Sequence, residues 1–370
     1  MPDGWVLDRV AGLVESQGEV IVSAFRRAPL GAATRQLLAL PLSGAREPRV
    51  LADGSGWSSA EVAEATGYWV HSRSTATEPT RRTLRHLDGS EVAKLPADAE
   101  LAPELAALPA PAFLEIETAG GARLPAQIVY PAGFDPSRKY PVVMFHYGGP
   151  ASQVVVDRWG GGRGLWLRWM ASRGYVALAV DNEASVFFGK AGEDRLHRRF
   201  GELELAGQKA AVAWLAERGW ADTSRVGLWG WSGGGTHTLY ALFHSPGTWR
   251  AGVAGAPVTD WRLYDSIYTE RYFGTPADNP DGYRDSSPLT AAGNLADALL
   301  VVHGTADDNV HPQNTVQLVD ALVEAGKPVE MMLYPGHSHG VRGAANRDFY
   351  RRMTGFFDRH LRAAEPATQP

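Results

Sequence analysis

Trp229-Gly230-Trp231-Ser232-Gly233-Gly234-Gly235 is the stretch on which the reading of this chain turns. The apolar run Arg225-Val226-Gly227-Leu228-Trp229 before it reads as a short buried strand, and Thr236 to Phe243 after it continues as a helix. A serine on a tight strand-to-helix turn needs residues two before and two after it that let neighbouring backbone pass closely. Glycine does this at least steric cost, and Gly230 and Gly234 hold those positions, which is the pattern of a nucleophile elbow. The motif alone leaves a plain flexible glycine loop open. A phosphate-cradling loop is disfavoured, because no Lys-Ser/Thr pair follows the glycines.

On either side of this stretch, residues 111–362 alternate strands and helices. Phe113–Thr118 and Ala126–Tyr130 read as a hairpin. Pro141–Phe145, Tyr175–Val180, Val226–Trp229, Ala251–Gly255 and Ala298–Val302 are near-continuous apolar strands, as a parallel sheet covered on both faces requires. Leu203, Ala206, Ala210 and Trp214 recur at helical spacing, as do Val316, Val319 and Val323, so each set is expected to face the sheet. The last helix is expected to point Phe349, Met353, Phe356, Phe357 and Leu361 inward. The fold class is therefore α/β, a doubly wound α/β-hydrolase sheet of roughly 250 residues.

Functional groups of such a sheet gather at the carboxyl ends of its strands. Ala298–Val302 runs into His303-Gly304-Thr305-Ala306-Asp307-Asp308. Met331–Tyr334 reads as a last strand, followed by Pro335-Gly336-His337-Ser338-His339-Gly340. Ser232, Asp307 and His339 thus occur in the order nucleophile, acid, histidine, and make a plausible triad. A neutral imidazole takes the serine proton, a buried carboxylate orients that imidazole, and the Gly233 N–H is placed to donate to the oxyanion. Asp308 is the rival to Asp307. His337 is the rival to His339, which is preferred because it stands nearer the final helix. His337 and His339 also form His-x-His, but with no adjacent carboxylate or third ligand a metal pair is disfavoured. His303 and His237 read as structural.

Residues 1–110 read as short strands separated by turns, among them Glu19–Phe25, Arg35–Leu42, Gly67–Ser72 and Thr83–Leu87. Their spacing suits about two propeller blades of about 40 to 45 residues each, fewer than the four of the smallest closed propeller. A proline- and alanine-rich stretch, Ala97–Ala112, is the expected linker, and residues 363–370 are expected to form a disordered tail. The formal net charge is −5 with no basic stripe, which disfavours nucleic acid. Cysteine is absent, excluding a disulfide framework and a thiol nucleophile. Neither a signal peptide nor a run of the ~18 apolar residues of a membrane helix is present, so the compartment is open, with cytoplasm as the default.

At these motifs the chain resembles the prolyl oligopeptidase family of serine peptidases, in its dipeptidyl peptidase IV branch, from about Pro141 to Leu361. Gly230-Trp231-Ser232, the loop His303 to His311 and His339-Gly340 are similar to the family's nucleophile, acid and histidine motifs. The resemblance implies that Tyr147, in Tyr147-Gly148-Gly149-Pro150, completes the oxyanion hole with Gly233. It assigns Tyr264 and Tyr268, in Tyr264-Asp265-Ser266-Ile267-Tyr268, to the pocket for the residue before the scissile bond, with Val258, Trp261 and Val310 beside them. Asn309 matches an asparagine that binds a substrate carbonyl. Aromatic walls without a charged base suit a proline ring. Three departures stand out. Gly233 replaces a tyrosine often found after the nucleophile, and Asp181–Ser185 replaces an arginine- and glycine-containing loop. The family's paired substrate-amine glutamates have no counterpart, since no Glu-Glu pair occurs in the chain. The implied function is a serine peptidase cleaving after proline or alanine, dipeptidyl-peptidase-like, on a truncated propeller. The alternatives are a carboxylesterase or acylaminoacyl-type hydrolase, and an inactive fragment needing the missing blades. The expected partner is a peptide substrate, with a homodimer through the hydrolase domain left open; no metal, other cofactor, nucleic acid or membrane is expected.

Overall fold

The computed structural model describes residues 1–26, 31–43, 46–52, 54–96, 101–150 and 152–362. Strands β1 (Trp5–Val14), β2 (Glu19–Arg26), β3 (Gln36–Pro41) and β4 (Arg49–Ala52) form an antiparallel sheet in sequence order. Strands β5 (Trp57–Ala63), β6 (Tyr68–Ser74), β7 (Arg81–His86) and β8 (Glu91–Lys94) form a second. The two sheets open with the same device. Glu15-Ser16-Gln17-Gly18 and Glu64-Ala65-Thr66-Gly67 each make one 3₁₀ turn closed by a left-handed glycine, with φ of 61° and 78°, a conformation that glycine adopts without penalty. Ser16 donates through its N–H and its hydroxyl to Glu64 Oε1 (2.9 and 3.0 Å), tying the two turns together.

Four of these strands, β1, β4, β5 and β8, are not among the runs named from the sequence. β1 carries register irregularities at Leu7/Arg9 and Val10/Gly12, so its period-two pattern slips twice. β5 is rich in serine and alanine, while β4 and β8 are four-residue strands without a buried residue.

The stretch Ala97–Ala112 begins with residues 97–100, outside the described residues. Helix α1 (Pro103–Ala106) follows, and the buried Arg168 guanidinium donates to the carbonyls of Leu105, Leu108 and Pro109 at 3.3, 2.7 and 2.9 Å. The expected tail, residues 363–370, also lies outside the described residues.

The chain then builds β9 (Ala112–Glu117), β10 (Arg123–Val129), β11 (Tyr140–Phe145), α2 (Gly161–Ser172), β12 (Val176–Val180), α3 (Gly189–Glu193), α4 (Glu202–Ala216), β13 (Ala221–Trp231) and α5 (Gly233–His244). It continues with β14 (Ala251–Gly255), α6 (Ser266–Phe273), α7 (Pro280–Ser286), β15 (Ala298–Gly304), α8 (Gln313–Glu324), β16 (Glu330–Tyr334) and α9 (Gly343–Leu361). The large sheet has the order β16-β15-β14-β13-β11-β12-β10-β9. It is parallel from β12 to β16 and antiparallel through β9 and β10. One core packs α4, α5 and α8 on one face; a second packs α2 and α9 on the other. As expected, α9 buries Phe349, Met353, Phe356, Phe357 and Leu361. Among the described residues no helix is long and apolar enough to cross a membrane.

Two helices turn a different face inward from the one their apolar residues suggest. On α4, Ala206 is exposed and Leu203, Ala210 and Trp214 are half-buried, whereas Glu204, Gly207, Gln208, Ala211 and Leu215 are buried. The helix sits so close to the end of β12 that a Cβ on Gly207 would stand 3.2 Å from Asn182 Cβ, so small residues make the seam. Glu204 is buried because its Oε2 accepts the Gly201 N–H at 2.8 Å and closes the helix start. On α8, Val316 and Val323 are 56% and 66% exposed, and Asn314, Thr315, Leu318 and Leu322 face inward. Asn314 and Thr315 serve buried polar groups: Asn314 Oδ1 accepts the Thr259 N–H at 2.9 Å, and the Thr315 hydroxyl meets His303 Nδ1 at 2.7 Å.

The small sheets meet the loops after β11 and β12 through Phe25, Trp57 and Phe187. Polar bonds reinforce the contact: the Ala76 N–H donates to Asp157 Oδ1 at 2.8 Å and the Asp157 N–H donates to Ala33 O at 2.6 Å.

Candidate active site

β13 ends at Trp231 and α5 begins at Gly233, leaving Ser232 alone at the corner with φ 59° and ψ −125°. A side-chain-bearing residue at positive φ costs of order 1–3 kcal/mol and persists where its surroundings over-determine it. Here the Ser232 N–H donates to Gly255 O at 2.7 Å, and a Cβ on Gly230 would collide with the backbone of Gly234. The strain presents Ser232 Oγ at the carboxyl end of the sheet.

β15 delivers Asp307 three residues beyond its end, 2% exposed. Its Oδ1 accepts the N–H groups of Asn309 and Val310 at 3.0 and 2.9 Å. Its Oδ2 lies 2.8 Å from His339 Nδ1, and His339 Nε2 lies 2.9 Å from Ser232 Oγ. The histidine loop reaches this position because Gly304 lacks a side chain: a Cβ there would meet the carbonyls of His337 and Ser338. Asp308 is exposed, and His337 packs edge-on to Tyr334 with ring centroids 6.2 Å apart. His303 lies behind Asp307. Its Nε2 is 2.8 Å from Val310 O and 3.3 Å from Asp307 Oδ2, and burial holds its pKa below the usual range, keeping the ring neutral.

The loop carrying Tyr147 is held by three groups that periodicity does not reveal. Asn182 Nδ2 donates to Gly148 O at 2.8 Å. The Asp181 carboxylate accepts the N–H groups of Val154 and Val155, each at 2.9 Å. Beneath Gly148 lie Glu204 and His237: a Cβ there would come within 3.2 Å of Glu204 Cγ and 3.0 Å of His237 Cδ2. His237 Nε2 and Glu204 Oε1 are 3.5 Å apart in full burial. Desolvation pushes the Glu204 carboxyl up to about 8 and His237 down to about 3, so both are neutral near pH 7. Asp181, also desolvated, is pushed up to about 7. The position of Asp181 and Asn182 just past the end of β12 was the signal available in the sequence.

The aromatic group lines one side. Val258, Trp261 and Val310 are buried; Tyr264 and Tyr268 are half-buried. The Tyr264 and Tyr268 rings meet edge-on at 5.4 Å, and Tyr268 lies nearly parallel to Trp261 at 6.2 Å. Phe200 and Tyr272, not singled out from sequence, support Tyr268 at 6.2 and 5.0 Å. Burial raises the pKa of both Tyr264 and Tyr268, so each keeps its hydroxyl proton. The Tyr264 hydroxyl donates to Asn309 Oδ1 at 3.0 Å, which leaves the Asn309 amide nitrogen as a donor. Tyr147 stands between this group and Gly233. A Cβ on Gly149 would lie 3.1 Å from Tyr147 Cε1 and 3.7 Å from Tyr268 Oη, and one on Gly233 would lie 3.4 Å from Tyr147 Cζ.

Comparison with known proteins gives consistent relatives. Residues 165–364 match the model of the prolyl oligopeptidase family. The chain is 38% identical over 248 residues to dipeptidyl peptidase 4 of Sus scrofa, covering 66% of this chain and 32% of that protein. It is 33% identical over 365 residues to a probable dipeptidyl-aminopeptidase B of Coccidioides posadasii, covering 95% of this chain and 39% of that protein. The crystal structure of Porphyromonas gingivalis dipeptidyl peptidase 4 superposes with a TM-score of 0.90 at 34% identity, over 98% of this chain and 51% of that one. The chain thus spans between about a third and a half of the relatives it matches. The match extends through the small sheets, which correspond to part of a propeller-like region.

Proposed function

The chain belongs to the prolyl oligopeptidase family of serine peptidases, and on that premise we propose that it hydrolyses peptides after proline or alanine through an acyl-enzyme. The observation that carries the proposal is the continuous relay from Ser232 Oγ to His339 to Asp307, at 2.9 and 2.8 Å. Ser232 Oγ bonds to the scissile carbonyl carbon while its proton passes to His339 Nε2. Asp307 keeps the Nδ1 proton of His339 in place and stabilises the imidazolium. The carbonyl oxygen, now an oxyanion, accepts hydrogen bonds from the Gly233 N–H and the Tyr147 hydroxyl. As the C–N bond breaks, His339 returns the proton to the departing amine. Water then attacks the acyl-enzyme with His339 as base, releasing the acid and restoring Ser232. The apolar walls formed by Trp261, Tyr264, Tyr268, Val258 and Val310 hold the residue before the scissile bond, and the Asn309 amide donates to a backbone carbonyl of the substrate.

The test is hydrolysis of Gly-Pro and N-blocked Gly-Pro p-nitroanilides by this chain beside Ser232→Ala. Release from both substrates, abolished in the variant, is expected. No release from a folded sample would overturn the reading. A second reading, a domain that acts only when more of the propeller is supplied, is favoured by Leu7, Val10 and Leu13, large apolar residues exposed on β1. Activity appearing only when a segment with further blades is added would select it. A homodimer through the hydrolase domain fits the exposed Val316 and Val323 on α8, and sedimentation equilibrium tests it.

A further inference from the structure

Four glycines surround Ser232, and three of them are imposed by backbone. Gly230 faces the Gly234 backbone directly. A Cβ on Gly234 would stand 2.5 Å from His146 O, and one on Gly235 2.5 Å from Gly255 O. Gly233 differs in what surrounds it. It is the first residue of α5, it is not in the positive-φ region, and a Cβ there would make only ordinary contacts, with Tyr147 Cζ at 3.4 Å, Cε1 at 3.5 Å and Oη at 3.6 Å. Glycine is a poor helix former compared with alanine. The fold therefore permits a side chain at residue 233.

The space left open has a definite place. Side-chain atoms on residue 233 would lie against the hydroxyl end of Tyr147, one residue from Ser232. Tyr147 in turn lies beside Tyr268, as the close approach of both rings to Gly149 shows. The open space therefore lies next to Ser232 with Tyr147 between it and the aromatic wall, and a side chain filling it would press Tyr147 toward that wall. A proline side chain is folded back onto its own nitrogen and needs little reach, whereas an open four-carbon side chain such as leucine needs this additional width.

We infer that Gly233 sets the width of the pocket for the residue before the scissile bond, and that without a side chain against Tyr147 the pocket takes open-chain apolar residues of leucine size as well as proline. The inference rests on the peptidase reading above and names its substrate class.

The experiment compares kcat/KM for Gly-Pro and Gly-Leu p-nitroanilides, free and N-blocked, in the wild-type chain, Gly233→Ala and Gly233→Val. The readout is the leucine-to-proline ratio within each protein, because the Gly233 N–H belongs to the proposed oxyanion site and absolute rates can shift. The wild type is expected to cleave both substrates. The ratio is expected to fall stepwise through alanine to valine, by about tenfold or more at valine, the effect of one or two misplaced carbon atoms in an apolar pocket. Gly233→Ala guards against misfolding, since its Cβ meets nothing closer than 3.4 Å. Cleavage of proline substrates alone by the wild type, or a ratio constant within about threefold across the three proteins, would overturn this inference and leave the peptidase reading standing. Cleavage of neither substrate by folded wild-type chain would overturn both.

Discussion

Replacing Asp307 by asparagine tests the proposed relay at the point where the structure constrains it most. The substitution keeps Oδ1 as acceptor for the Asn309 and Val310 N–H groups at 3.0 and 2.9 Å, so the loop after β15 retains its anchor. At the other position an NH₂ replaces Oδ2, 2.8 Å from His339 Nδ1. A donor now faces that nitrogen, and the favoured tautomer carries its proton on Nε2, pointing at Ser232 Oγ. In that state the ring cannot accept the serine proton. The same exchange in a serine protease of another fold lowers kcat by roughly 10⁴-fold, which at about 1.36 kcal/mol per decade is about 5 kcal/mol of barrier. The neighbouring His303 does not compensate, because its Nε2 is already 2.8 Å from Val310 O. The assay is p-nitroanilide and p-nitrophenyl ester hydrolysis, with circular dichroism and thermal melting to establish that the variant is folded. A folded Asp307→Asn chain retaining more than about a tenth of wild-type kcat/KM would refute the reasoning, since the histidine would then be working without the carboxylate.

Tyr147→Phe removes one proposed oxyanion donor and leaves the ring; kcat is expected to fall by about 10² to 10³ with KM little changed, as measured by steady-state kinetics. Asn182→Ala releases the bond to Gly148 O and the bond that Asn182 Oδ1 accepts from the Ala184 N–H at 2.9 Å. The Tyr147 loop then shifts, and a loss of roughly 10²-fold in kcat is expected, the cost of about 1 Å of misplacement. Glu204→Gln isolates a buried carboxyl whose pKa is raised by desolvation to about 8. A raised pKa means that the folded chain holds this proton while the unfolded chain has lost it. The contribution is therefore complete below the unfolded value and declines as pH rises from about 4.5 through 8. Chemical denaturation across that window is expected to show the wild type losing stability relative to the glutamine variant, by a few kcal/mol in order of magnitude. Parallel curves for the two proteins would count against it.

Features whose cause is local are legible in the sequence. A glycine two residues either side of a serine, between a strand and a helix, is a steric requirement contained within a few residues, and the elbow is legible from Gly230, Ser232 and Gly234 alone. The inner strands are legible for the same reason, since burial on both faces admits only apolar residues, and so is α9, whose phenylalanines have no other place to go. The remaining features depend on residues that meet across the fold. Apolar spacing misplaced the inward faces of α4 and α8 because Leu215, Leu318 and Leu322 are their only large apolar residues, and the rest of each seam is made by glycine, alanine, glutamine, asparagine, threonine and a capping glutamate. Such residues are buried by close approach or by hydrogen bonds to distant groups, and hydrophobicity carries no record of either. The same holds for Asp181, Asn182, Glu204 and His237 under the Tyr147 loop. Each is an ordinary polar residue in the sequence, and its place beside the site exists only once β12, α4 and α5 have packed together.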